Sequence, residues 1–222
     1  MQAAYDEIAE WYDQSVEAGN LLSATIVSHV LELAGDFAGQ AICDLACGQG
    51  LLSRKIARHG ANVVGIDLSG KLLEIARRYE AENPRGVRYV QEDAQNFANM
   101  AGELFEGVVC NMALMDMPDL GAVFASVSRI LRPGGWFVFS ITHPCFQTPP
   151  GWSYFTEGLW RSDNPNGVRG KVGAYHRTLS AYLNALAVEG FCLERLIEPQ
   201  IDSRDTPPVL LVRATKPTVE PA

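Results

Sequence analysis

Ile42-Cys43-Asp44-Leu45-Ala46-Cys47-Gly48-Gln49-Gly50 is an apolar run ending in a small-residue turn, directly before the helix-forming stretch Leu51 to His59. It reads as a strand, a turn and a helix arranged around a ligand. Gly48 and Gly50 let the backbone turn sharply and come close to a bound group, where a Cβ would intrude. The first amides of the following helix can lie beside it. The spacing departs from the dinucleotide fingerprint G-x-G-x-x-G: counted from Gly48 the third glycine is Ser53, and counted from Ala46 it is Leu51. Asp44 would repel a diphosphate and suit a cation. The turn therefore predicts a nucleotide-sized ligand without a pyrophosphate.

The rest of the chain repeats that unit. Residues 1–35 show helical spacing through Ile8, Trp11, Tyr12, Ile26, Val30 and Leu33, with Gly35 as a stop. Strands are expected at 41–45, 62–67, 87–91, 107–112 and 135–141, with helices at 50–59, 70–82 and 119–131 between them. Ser69 is placed to cap the helix after Asp67, and Pro133-Gly134-Gly135 to end the helix before it. Such alternation predicts a parallel sheet with crossover helices on both faces. Residues 144–174 carry four prolines, five glycines, Trp152 and Trp160. That is too long for an ordinary connection and reads as a loop covering the substrate. A helix at 178–189 and a hairpin of strands at 191–198 and 208–214 complete one domain spanning 1–222: a helical cap (1–35), a cofactor core (36–141), the loop, and a closing helix and hairpin (175–215).

In an open parallel sheet, ligands sit beyond the carboxyl ends of the strands. The first strand delivers Asp44 and the turn. The second delivers Asp67 and Leu68, with a carboxylate able to accept from two ribose hydroxyls, and the third delivers Asp93 and Ala94, where an acid can accept from an adenine amino group. A single such acid is as readily a helix cap; three in register with three strands are harder to dismiss. Together with Phe105 to Leu114 and Leu131-Arg132-Pro133-Gly134-Gly135, this series resembles the class I S-adenosylmethionine-dependent methyltransferases. Ala46 stands in their first glycine slot, and Glu106 where they usually carry Asp. The resemblance implies a Rossmann-like, doubly wound α/β sheet of seven strands, mostly parallel with the last antiparallel. It implies that Asp44 and the backbone of Ala46, Cys47, Gly48, Gln49 and Gly50 hold the amino-acid half of S-adenosylmethionine, Asp67 the ribose and Asp93 the adenine, with Asn111 and Met112 along the methionine side. Tyr5 to Asp13 resembles the capping helix of small-molecule members, with Tyr12 closing over the cofactor or simply packing.

Two histidines are candidate bases or positioning groups: His143, just past the fifth strand and before Pro144, and His176, after the loop. Each is as readily a hydrogen-bonded loop residue. Arg161, Arg169 and Arg177 are candidates to pair with a substrate carboxylate, or are solvated. The net charge of -8 disfavours nucleic acid. No apolar run reaches the ~18 residues of a membrane span, and no leader precedes the helices, so the expectation is a cytoplasmic enzyme acting on a small molecule. Five scattered cysteines and four histidines form no metal-ligand spacing, so no metal is expected. Methyl transfer at oxygen or nitrogen, with S-adenosylhomocysteine as product, is the reading. The alternatives are a non-methylating enzyme such as a cyclase, or a non-catalytic binding protein, on the same fold.

Overall fold

The computed structural model describes residues 3–18, 21–97, 100, 102–201, 203 and 205–218, with backbone only at 21–23. A 3-10 turn, Asp6–Ile8, leads into α1 (Ala9–Glu17) and α2 (Leu21–Ala34). The repeating part follows as β1 (Ala41–Leu45), α3 (Leu51–Arg58), β2 (Asn62–Asp67), α4 (Gly70–Glu82), β3 (Arg88–Gln91), β4 (Phe105–Asn111), α5 (Leu120–Ile130) and β5 (Leu131–Thr142). The remainder is β6 (Gly158–Trp160), α6 (Val168–Lys171), β7 (Ala174–His176), α7 (Leu179–Val188), β8 (Cys192–Ile197) and β9 (Val209–Thr215). Three helices begin where a short polar side chain turns back on the chain. Ser69 accepts from Leu72 N, Asp119 from Ala122 N and Thr178 from Ala181 N, each cap contributing about 1 kcal/mol.

Seven of these nine strands form one sheet in the order β3-β2-β1-β4-β5-β9-β8. β1 to β5 pair in parallel, and β9 is antiparallel to both β5 and β8. The order reverses between β1 and β4, so a crevice opens beyond their carboxyl ends. Period-two alternation splits the buried side chains between two cores. Phe137, Phe139 and Ile141 of β5 pack with Val123, Phe124 and Val127 of α5 on one face. Trp136 and Val138 pack with Val30 of α2, Ile56 of α3 and Leu73 of α4 on the other. A third cluster seats the amino-terminal cap, with Ala9 against Leu72 and Ile75 of α4.

Two local expectations are corrected. Pro133-Gly134-Gly135 does not separate helix from strand: β5 already begins at Leu131, which pairs with Phe105, while Trp136 pairs with Gly107, and the residues between form a bulge. Glu106 anchors that bulge, accepting from Ala41 N at 2.6 Å and pairing with Arg132, so its exchange for Asp affects strand edges and not the crevice. The stretch expected as a substrate-covering loop carries a two-stranded antiparallel ribbon, β6 with β7, and Leu159, Ala174 and Tyr175 of that ribbon line the crevice.

Candidate active site

The turn after β1 is closed by its own protein partners. Ala46 adopts φ 54°, a left-handed conformation costing a side-chain-bearing residue about 1–2 kcal/mol. Cys47 N donates to Ile66 O at 2.9 Å, Gly48 N to Asp67 Oδ2 at 2.8 Å, Gly50 N to Cys47 O at 3.0 Å, and Leu51 N to Gln49 Oε1 at 2.7 Å. The amides of Gly50 and Leu51 at the helix start thus have partners within the protein. What the turn offers is a flat backbone edge beside a carboxylate.

That edge forms one wall of a cavity of about 370 Å³, within the range of small-ligand sites. Tyr12, Ala46, Gly48, Asp67, Leu68, Asp93, Ala94, Asn111 and Met112 all line it. Asp67 is held by Gly48 N and by Ser69 N at 2.8 Å, which leaves each oxygen a further lone pair. Asp93 accepts from Gln95 N at 2.9 Å. Asn111 accepts from the Ser140 hydroxyl at 2.8 Å, and Met112, at φ 55°, shares its N–H between Ser140 O and Oγ. A Cβ on Gly48 would stand 3.8 Å from the Tyr12 ring, so Tyr12 roofs the turn. Asp67, Glu92, Asp93 and Asp116 face this space against one arginine, Arg161, a balance that suits a cation.

Asp44, Cys47, Gln49 and Gly50 do not line the cavity. Asp44 shares the face of β1 that carries Ile42, toward α3, where its carboxylate accepts from the Ser53 hydroxyl at 2.5 Å. The direct ligand contact expected of it is therefore corrected to a buried carboxyl bracing the turn from behind. Cys47 packs into the core below, and the Gln49 side chain caps the turn internally.

Burial pushes the Asp44 carboxyl up to about 7 and that of Asp67 up to about 6. For an acid raised in the folded state, native protein keeps a proton that unfolded protein has lost. Stability from these groups therefore falls as pH rises from about 4 to 7, then stays level. Ligand binding to ionised Asp67 has the opposite sense. On acidification from pH 7.5 to 5, the unliganded protein is expected to gain thermal stability from these two carboxyls while S-adenosylhomocysteine loses affinity, by up to ~10-fold per unit below the Asp67 midpoint. Thermal unfolding with and without that nucleoside across the range checks both slopes.

A second junction was invisible in the local sequence. Asp116, in a 3-10 turn after β4 (Leu114–Asp116), accepts from the Tyr5 hydroxyl at 2.8 Å and pairs with Arg169 of α6. Burial raises its carboxyl above the usual range. The amino-terminal segment and the ribbon region thus meet on one acid. Beyond it lies another cavity, of about 350 Å³, sharing Ala174 and Tyr175 with the first. His176 lines this second cavity, its Nε2 against Tyr154 O at 3.0 Å. His143 lines neither cavity: Nε2 meets Glu198 Oε1 at 2.7 Å and Nδ1 accepts from Cys145 N at 3.2 Å. With both ring nitrogens engaged, His143 is a scaffold residue in this geometry, and the expectation of a base there is corrected. Arg169 and Arg177 are not solvated either, being three-quarters or more withdrawn from water. Among the described residues no group of three His, Cys, Asp or Glu side chains converges as metal ligands, and no helix is long and apolar enough to cross a membrane.

Comparison with known proteins agrees with this architecture. A family model described as "Methyltransferase domain" matches residues 43–139. The ubiquinone biosynthesis O-methyltransferase of Bordetella avium is 34% identical over 134 residues, 60% of this chain and 56% of that protein. The chain therefore matches less than two thirds of the length of that curated relative. The structure of an S-adenosylmethionine dependent methyltransferase from Mesorhizobium loti superposes with a TM-score of 0.75 at 31% identity, over 89% of this chain and all of that one. The cyclase SpnF has the same fold at 17% identity and a TM-score of 0.68, over 88% of this chain and 82% of that one. The strand order, the glycine turn and the relative matched along its whole length agree: the chain belongs to the S-adenosylmethionine-dependent methyltransferases.

Proposed function

We propose that this protein transfers a methyl group from S-adenosylmethionine to oxygen or nitrogen of a small molecule in the cytoplasm, releasing S-adenosylhomocysteine. The observation that carries the reading is the acid-lined cavity at the β1/β4 switch point, whose charge complements a sulfonium and an ammonium. In this reading Asp67 accepts from the ribose hydroxyls and Asp93 from the adenine amino group. The backbone at Ala46 and Gly48, with Asn111 and Met112, flanks the methionine half, and Tyr12 closes over it. Asp44 braces the turn from behind through its hydrogen bond with Ser53.

The displacement is in line and asks mainly for alignment of acceptor, methyl carbon and sulfur. Well-oriented intramolecular reactions gain about 7–11 kcal/mol over their bimolecular counterparts, a gain open to a cavity whose wall includes Tyr5 and Asp116, the latter paired with Arg169. His176 is the histidine left to assist. Its Nε2 donates to a carbonyl, so Nδ1 is the basic nitrogen and can receive or orient an acceptor proton. Incubation with methyl-labelled S-adenosylmethionine and a panel of acceptors tests the function. Label in an acceptor with equimolar S-adenosylhomocysteine is expected, and His176→Ala is expected to slow transfer to alcohols and ammonium groups more than to phenolates or carboxylates. Chemical conversion of a substrate with the cofactor unchanged would instead support the cyclase reading, which the shared fold leaves open.

A further inference from the structure

The two cavities that meet at Ala174 and Tyr175 have opposite charge. Among the described residues, the first faces four acids, of which Asp116 is paired with Arg169; the second has Arg169, His176 and Arg177 in its wall and neither Asp nor Glu. Arg169 is neutralised by Asp116. Arg177 is not neutralised in that way. It is 9% exposed, and its guanidinium donates to the carbonyls of Leu114, Met117 and Pro118 at 2.5–3.3 Å, 4.9 Å above the Tyr175 ring. Among the described residues no carboxylate lies within ion-pair distance of it. Glu157, held by Thr178 N and Oγ, senses its field from farther away.

Carbonyl dipoles satisfy N–H groups but supply no counter-charge, and a buried cation left in that state gains from an anion. Three of the five N–H groups go to carbonyls and another meets the Tyr182 hydroxyl, so the fork retains a donor. Trp160, Tyr175 and Tyr182 add flat apolar surface to the same space. In a protein of net charge -8, this is an unusual place for positive charge to be concentrated away from solvent.

We infer that the second cavity is the acceptor's anchoring site and that it selects a small planar carboxylic acid, whose carboxylate sits against Arg177. The inference rests on the methyl-transfer reading and names its substrate class. An acid anchored there directs its far end across Ala174 and Tyr175 toward the donor cavity. Neutral analogues of the same shape lack the anchoring charge and leave Arg177 unpaired.

Calorimetry on the purified full chain, saturated with S-adenosylhomocysteine, tests this with benzoate, 4-hydroxybenzoate, anthranilate and indole-3-acetate, each against its carboxamide. At least one acid is expected to bind tenfold or more tightly than its amide. Because Arg177 also ties down the turn at Leu114 to Pro118, Arg177→Gln can disturb folding, so the decisive variant is Gln147→Glu. Gln147 is an exposed residue in the wall of the second cavity, and an isosteric negative charge there is expected to weaken the acid at least fivefold, leave the amide unchanged and leave nucleoside affinity unchanged. Nucleoside binding with no acid bound up to 10 mM, with amides bound as well as acids, or with no effect of Gln147→Glu on the acid, overturns the inference while leaving methyl transfer intact. Failure of the nucleoside itself to bind refutes the methyl-transfer reading instead.

Discussion

Asp67→Ala is expected to weaken S-adenosylhomocysteine binding by two orders of magnitude or more. The carboxylate has two tasks in one place. It closes the glycine turn by accepting from Gly48 N and Ser69 N, and its remaining lone pairs are the ones presented to a ribose. Charge-assisted hydrogen bonds contribute roughly 1.5–3 kcal/mol each, so loss of two to the ligand alone accounts for about 10² to 10⁴ in affinity. The turn also relaxes, because two amides lose their acceptor. Asp67→Asn does not rescue binding: whichever way the amide points, its NH₂ faces a backbone donor. Stability moves much less, since removing a buried carboxyl that is raised to about 6 also removes the cost of ionising it at neutral pH. Calorimetry paired with thermal unfolding separates the two effects. A variant that binds the nucleoside within threefold of wild type would show that Asp67 does not hold the ribose.

The parts of this site that are legible in sequence are those built by neighbours along the chain. Glycines after a short apolar run announce the turn, and acids at the ends of successive strands announce the cavity wall, because strand, turn and helix are each only a few residues long. Errors arise where a partner comes from elsewhere. Whether the turn's amides are free depends on Ile66 and Asp67, from the next strand. Asp44 sits at the right height but on the α3 face, since alternation along β1 turns it with Ile42 toward Ser53. His143 stands at the expected strand end, yet it is claimed by Glu198, 55 residues later. The Asp116 junction joins Tyr5 and Arg169 from segments 111 and 53 residues away, so no window contains it. The burial of Arg177 follows from the ribbon folding back over the turn after β4, which composition alone places in solvent.

The largest effect on stability is expected from Gly107→Ala, a change of one methyl group between the two central strands. Gly107 of β4 pairs directly with Trp136 of β5, and a Cβ at Gly107 would overlap the indole, 2.5 Å from Cη2 and closer to two neighbouring ring atoms. The ring has no easy retreat. It is 7% exposed, lies edge-on to Phe37 at 6.2 Å, and has the Arg213 guanidinium 5.2 Å from its centroid. Overpacking of this kind costs about 1–3 kcal/mol when neighbours can yield, and here the upper end applies. For a domain of this size each kcal/mol shifts Tm by roughly 2–4 °C, so a fall of about 6–12 °C is expected. Trp136→Phe removes the overlapping ring edge and should itself destabilise by leaving a cavity. If the steric account is right, Gly107→Ala in the Trp136→Phe background is milder than in wild type, with a coupling of about 0.5–3 kcal/mol. Strict additivity would mean that the indole is not the obstacle. Nucleoside affinity measured well below the lowered Tm should be nearly unchanged, because Gly107 lies four residues, about 13 Å, from the cavity wall at Asn111. That contrast assigns Gly107 to the fold and Asp67 to the ligand.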